Sequence, residues 1–262
     1  MVGHVTRDEV DGTVRLGGAA SYGALAAARL GHQTALLTLA PPDDPLLGPL
    51  RGAPRLGFHC VPSDVMTTFA LEYAGGERRL WLRRRARPLT RDDIPPGLLC
   101  PRVAYLGPVA GECDPDLARG LGASFIGAGL QGWLRRVAPD GRIQPALGGA
   151  GETAFLPRLD VAVISELDHP DAEAVARAQL KPGGTAAITR GARGATLIRG
   201  DERLDVPAVP AREVEPTGAG DVFGVVLTLG LADGQPLPVA ARAAAAAAAR
   251  VVEGPGLGTL GG

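Results

Sequence analysis

The sequence predicts an α/β fold: a central, mostly parallel sheet with helices on both faces and a small β-hairpin beside it. Three observations carry that expectation. Short apolar runs of strand length alternate with Ala-rich segments of helical length, the rhythm of successive βαβ units. Two strand-like runs flank Gly75-Gly76, the signal of a two-residue hairpin turn. The stretch from Val239 to Val252 is almost pure alanine, broken by Arg242 and Arg250, and has high helix propensity.

Taken in order, Val14 to Leu16 leads into Gly17-Gly18, and Ser21 to Leu30 reads as a helix ended by Gly31. Thr34 to Ala40 is a compact apolar run, which suits a buried strand. Thr67 to Ala74 and Glu77 to Arg84 form the two arms of the hairpin, which should project from the α/β body. Val103 to Leu106, Leu159 to Ser165, Thr185 to Thr189 and Ala195 to Arg199 read as further strands. Asp171 to Leu180 reads as a helix stopped by Pro182-Gly183-Gly184, and Val222 to Gly230 as an apolar, buried helix. No repeat or disordered linker interrupts the series, so residues 1–262 are expected to form one domain.

Composition removes several function classes. The formal net charge is −1 and aromatics are 4%, which argues against nucleic acid or an anionic membrane surface as partner. No apolar run reaches the roughly 18 residues that span a bilayer. Met1-Val2-Gly3-His4 has neither a basic nor an apolar leader region, so the cytoplasm is the expected compartment. Cys60, Cys100 and Cys113 are odd in number and lack CxxC spacing, and the four histidines lack metal-ligand spacing. Lys181 is the sole lysine and lies in Leu180-Lys181-Pro182, which is no phosphate-binding P-loop. A dinucleotide fingerprint would need G-x-G-x-x-G after the first strand, and that spacing is absent.

The chemistry concentrates in Glu215-Pro216-Thr217-Gly218-Ala219-Gly220-Asp221 and the apolar helix after it. Glycines before a helix leave its first N–H groups free and let an anion approach the backbone closely. The helix end also carries about half a positive charge, which suits the oxygens of a transferred phosphoryl group. Asp221, in the first turn, would not itself bind phosphate, but it can take a proton from a hydroxyl aligned for attack on that group. Taken alone, the turn is weak evidence and reads first as an ordinary helix start with Asp221 stabilising the dipole.

Thr217-Gly218-Ala219-Gly220-Asp221-Val222-Phe223 resembles the C-terminal signature of the PfkB or ribokinase family of carbohydrate kinases. Gly17-Gly18, followed by Ala24 and Ala28-Arg29-Leu30-Gly31, resembles its N-terminal di-glycine motif and helix. Gly3 to Asp8 at the first strand and Thr189 to Gly194 are further echoes, so the resemblance covers almost the whole chain. It implies a ribokinase-like fold, with a lid formed mainly by about 64–87, and an ATP-dependent kinase using Mg²⁺ to phosphorylate a sugar, polyol or nucleoside hydroxyl. Asp8, Gly17 and Gly18 would then contact the acceptor. Gly218, Ala219 and Gly220 would form the anion hole beside Asp221 as base. Thr189, Gly191, Gly194 and Thr217 would lie along the nucleotide.

Departures from the family pattern point to a divergent branch. Tyr22 stands where an asparagine usually touches the sugar; it either reshapes the substrate pocket or packs under the sheet. The family's N-x-x-E motif, which organises Mg²⁺-bound water, becomes Ser165-Glu166-Leu167-Asp168, leaving the metal position between Asp168 and Glu166. Glu215 replaces an aspartate. Gln131 to Arg136 resembles a stretch of inositol-kinase-like members. These changes keep open an alternative, a non-catalytic metabolite-binding protein that retains the fold. Arg78, Arg79, Arg83, Arg84, Arg85 and Arg87 form either a solvated face or a clamp for an anionic substrate. Phe69, Leu71, Tyr73, Leu80 and Trp81 would suit a homodimer through the lid.

Overall fold

A computed structural model describes residues 1–74, 77–145 and 159–260. The first half contains β1 (Thr6–Val10), β2 (Thr13–Gly17), α1 (Ala19–Arg29), β3 (Thr34–Ala40), α2 (Gly48–Arg51), β4 (Leu56–Pro62), β5 (Thr67–Ala74), β6 (Glu77–Arg84), β7 (Val103–Leu106), α3 (Pro115–Gly120) and β8 (Phe125–Gly129). The second contains β9 (Arg135–Val137), β10 (Ile143–Pro145), β11 (Leu159–Ser165), α4 (Ala172–Ala178), β12 (Leu180–Thr189), β13 (Ala195–Arg199), β14 (Glu202–Val206), α5 (Ala219–Ala232) and α6 (Leu237–Val251).

The main sheet runs β14-β13-β12-β11-β8-β7. The pairs β7–β8, β8–β11 and β11–β12 are parallel, and β13 and β14 close one edge antiparallel. At the other edge Val2 bridges Leu106 and Leu37, which joins the parallel pair β3–β4 to the sheet. Because side chains alternate along a strand, each central strand feeds two cores. Val161, Val163, Ala187 and Leu197 pack with Val222, Phe223, Val226 and Leu227 of α5 and the alanines of α6. Ala162, Ile164, Ala186, Ile188 and Ile198 pack with Leu117 of α3 and Val175 of α4 on the opposite face. Helices therefore cover both faces, as the strand–helix rhythm requires. No helix among the described residues is long and apolar enough to cross a membrane.

Two expectations need correction. Leu180 to Gly184, taken as a helix end and a stop, belongs to β12. Between Leu159↔Leu180 and Val161↔Thr185 the register is irregular, so Pro182-Gly183-Gly184 bulges from the strand instead of ending an element. The helix before it contracts to α4 because Leu180 now pairs with Leu159. The hairpin also does not project alone. β1 pairs antiparallel with β2 and parallel with β5, giving a separate four-stranded sheet of order β2-β1-β5-β6. The strand holding Asp8 thus lies in this small sheet, outside the main one. A two-stranded hairpin is marginal by itself, whereas four strands bury an apolar face. That face is Val10, Phe69 and Leu71, packed with Ala19, Val109 and Ala110. The Gly75-Gly76 turn lies outside the described residues.

His4 ties the base of the small sheet to the body. It is fully buried. Its Nε2 meets the Arg87 carbonyl at 3.1 Å and its Nδ1 meets Thr67 Oγ1 at 2.8 Å. A carbonyl only accepts, so Nε2 carries the proton and Nδ1 accepts from the Thr67 hydroxyl, which accepts in turn from the Ala86 N–H. Burial pushes the imidazole below its ordinary value, against the opposing pull of the nearby Glu112 carboxylate. The folded state therefore resists protonating His4 more than the unfolded chain does. Its contribution to stability is complete above about pH 6.5 and declines as pH falls below that value toward the lowered one. Thermal melts of the wild type should show a loss of Tm over that window that is smaller in His4→Gln. Parallel curves for the two proteins would exclude His4 as the source.

Candidate active site

The two glycine motifs, from opposite ends of the chain, are joined through α1: Gly18 caps that helix, and the ring of its Tyr22 packs on Gly218. Gly18 is the N-cap of α1 with φ 92°, and a Cβ there would come within 2.5 Å of the His4 carbonyl. A Cβ on Gly17 would overlap the Asp8 carboxylate. The glycine pair therefore lets β1 and the start of α1 approach each other with Asp8 between them. Asp8 is only 9% exposed, and the Thr6 hydroxyl donates to its Oδ1 at 2.7 Å.

At the other motif, Gly218 adopts the left-handed conformation, φ 86°, as N-cap of α5. The ring of Tyr22 from α1 fills the space a Cβ at Gly218 would occupy. Tyr22 is 2% exposed, and its ring packs beneath the Gly218 turn. Its phenol is held well above the ordinary value, first by burial and then by the Glu215, Asp8 and Asp221 carboxylates. The ring therefore stays neutral while these three acids act on it. Asp221 also bears on the buried Tyr105, whose phenol is raised mainly by burial.

The turn itself opens to solvent. Gly220 is exposed, and Gly218, Ala219 and Asp221 are half-buried. The Thr217 hydroxyl oxygen is buried without a hydrogen-bond partner in the structure. Glu215 accepts from Arg15 Nη1 at 2.6 Å and from the Gly256 N–H at 3.0 Å. It links the turn to β2 and to the C-terminal segment. Sequence reading missed Arg15, because a contact across 200 residues leaves no local trace.

The remaining predicted residues lie at the C-terminal ends of the central strands. Thr189 pairs in register with Ser165. A Cβ at Gly194 would overlap the Val206 carbonyl, so the close approach of β14 explains that glycine structurally. Gly191 has open space around it. Glu166 is ion-paired with Arg193. Asp168 accepts from the Ser165 N–H at 2.9 Å and from Gln131 Nε2 at 3.3 Å, and burial raises it above the usual carboxylate range. Of the two metal candidates, Glu166 is held in an ion pair, whereas Asp168 is hydrogen-bonded and feels the Arg135 charge, which pulls its carboxyl down against the effect of burial. No group of three or more His, Cys, Asp or Glu side chains that would hold a metal ion occurs among the described residues. Lys181 pairs with Asp160 at 2.5 Å.

Residues 159–260 match the family model described as pfkB family carbohydrate kinase. The bifunctional protein HldE of Rhodopseudomonas palustris is 44% identical over 66 residues, 25% of this chain and 14% of that protein. Inositol 3-kinase of Arabidopsis thaliana is 41% identical over 54 residues, 21% of this chain and 15% of that protein. The matched segments thus span about a seventh of the length of these relatives. A solved structure of a pyrophosphate-dependent kinase in the ribokinase family, complexed with a pyrophosphate analog and myo-inositol, superposes with a TM-score of 0.83. It is 22% identical, and the match covers 97% of this chain and 95% of that one.

Proposed function

We propose, from the pfkB-family sequence of residues 159–260 and the ribokinase-like fold of the whole chain, that this protein transfers a phosphoryl group to a hydroxyl of a polyol or sugar. The observation that carries the reading is the packing of Tyr22, from the helix that Gly18 caps, on Gly218, with the Asp8 and Asp221 carboxylates both acting on that ring.

In this reading Asp8 accepts hydrogen bonds from acceptor hydroxyls, while Gly17 and Gly18 let the Asp8 carboxylate and the β1 backbone sit close against the start of α1. Asp221 takes the proton of the attacking hydroxyl as the oxygen–phosphorus bond forms. The amides of Ala219 and Gly220 stabilise the charge on the transferred group, supported by the α5 dipole. The unpartnered Thr217 hydroxyl supports a polar ligand at this turn. The donor is ATP, lying along Thr189 to Gly194. Mg²⁺, when bound, would supply neutralisation of phosphate charge, and Asp168 would hold it rather than Glu166, which is ion-paired with Arg193. The small sheet acts as the lid. In a lid-mediated dimer Phe69 and Leu71 would not make the contact, since they face inward, and Leu80 packs partly against the same cluster; Trp81 remains a candidate, and the Tyr73 side chain lies outside the described residues.

A second reading of the donor, inorganic pyrophosphate, is favoured by the likeness to the pyrophosphate-dependent kinase. The test is turnover with myo-inositol, other polyols, sugars and nucleosides, with ATP and with pyrophosphate in parallel and Mg²⁺ present. Product should form with at least one polyol or sugar. Tight acceptor binding with no turnover from either donor would instead assign a metabolite-binding protein.

A further inference from the structure

The register of the antiparallel pair β1–β2 sets Arg15 directly opposite Asp8. Residues opposite one another in such a pair project to the same face of the sheet, with Cβ atoms about 4.5–5.5 Å apart. Arg15 therefore leaves the small sheet beside the carboxylate assigned above to the acceptor. Its guanidinium crosses to the body. Nη1 donates to Glu215 Oε2 at 2.6 Å, and Glu215 lies three residues before the left-handed Gly218 that caps α5. The Arg15 side chain is 28% exposed and that of Glu215 10%, so the pair is largely shielded from water and salt.

Glu215 is fixed to the body on its other sides. Its own N–H and that of Val214 donate to the Val252 carbonyl, at 3.1 and 2.7 Å. The Gly256 N–H donates to the same Oε2 at 3.0 Å. Gly256 also lies against the Arg15 stem, since a Cβ there would come to 3.5 Å from Arg15 Cδ. A chain of contacts thus runs from Asp8 to its cross-strand neighbour Arg15, to Glu215 and into the Gly218 turn. A shielded ion pair adds little net stability over apolar residues of the same volume. What it adds is a fixed distance and direction between the parts it joins. Phosphoryl transfer needs both, because a displacement of about 1 Å between reacting groups costs about 10²-fold in rate.

We propose that Arg15 and Glu215 are positioning residues, their ion pair setting the acceptor strand β1 at its working distance from the anion-hole turn of α5. This rests on the phosphoryl-transfer reading above. Neither residue is given a reacting atom; Arg15 acts through the strand that carries Asp8, and Glu215 through the turn that carries Ala219 and Gly220.

The test centres on Arg15→Met/Glu215→Gln. It removes one charge of each sign, so the net charge beside the turn is unchanged and no buried carboxylate loses its cation. If the pair only staples the fold, this variant should keep both Tm and kcat close to wild type. A positioning pair predicts a folded protein by circular dichroism whose kcat is about 10- to 100-fold lower. Arg15→Met should also lose kcat, and Arg15→Lys, which can still reach Glu215 with one nitrogen, should recover most of it. Rates are compared at a temperature where each variant is folded. Wild-type kcat in the double variant would overturn the role. Should the double variant not fold, equal kcat in Arg15→Met and Arg15→Lys would overturn it. A second readout needs no turnover: calorimetric binding of methylenebisphosphonate, a non-hydrolysable pyrophosphate analogue, to the intact chain. Its affinity should fall about tenfold in the double variant as the anion-hole amides lose their direction. A wild type that binds the analogue but phosphorylates no acceptor would sink the kinase reading alone, and unchanged analogue affinity in the double variant would then overturn the pair's role as well. A wild type that neither binds nor turns over would overturn both.

Discussion

Asp221→Asn is expected to lower kcat by about 10²- to 10⁴-fold, the usual worth of a positioned general base. The amide keeps the size of the side chain and its place in the first turn of α5, so the fold and the αL turn at Gly218 should survive. It cannot accept the proton from the acceptor hydroxyl, so the loss should fall on kcat. Donor affinity should change only a few-fold, because the anion-hole amides are untouched. Rapid-mixing and steady-state assays on one acceptor separate these effects. A variant with full turnover would remove Asp221 from the mechanism. One with unchanged kcat and a raised KM would make it a substrate contact.

Gly218→Ala should damage both stability and turnover. Two independent costs add at this position. The backbone sits at φ 86°, where an L side chain costs about 1–2 kcal/mol. The new Cβ also collides with the Tyr22 ring, and overpacking a filled site costs about 1–3 kcal/mol more. Together these should lower Tm by several degrees in a chain of this size. Relief of the collision would turn the helix N-terminus away from its present direction, and a displacement of about 1 Å in a positioning group is worth about 10²-fold in rate. Adding Tyr22→Ala to Gly218→Ala separates the two costs. It should recover the packing part and leave the backbone part, so the double variant should be more stable than the two single losses predict. Strict additivity of the melting data, or a wild-type Tm for Gly218→Ala, would contradict the contact between ring and turn.

Much of the α/β body was legible because its signals are local. Thr34–Ala40, Val103–Leu106, Leu159–Ser165 and Ala195–Arg199 are buried strands written as compact apolar runs, and their bounds agree with the structure. The hairpin strands Thr67–Ala74 and Glu77–Arg84 were legible from their shared turn. Pro182-Gly183-Gly184 misled because its punctuation is the same whether the chain stops or bulges; the partner strand decides which, and Leu159 supplied the pairing. The small sheet was half visible, since nothing in Thr6–Val10 indicates that it pairs with β5 and not with the main sheet.

By itself the sequence determined the alternation of strands and helices, the glycines at 17, 18 and 218, and the acid beside the second motif, because backbone conformation and helix termini depend on neighbours in the chain. Tertiary structure alone decided that Tyr22 lies under Gly218 and that Glu215 is tied to Arg15. Those are contacts between residues far apart in sequence. Their energies come from packing and charge at a few ångströms, a distance that chain order does not encode.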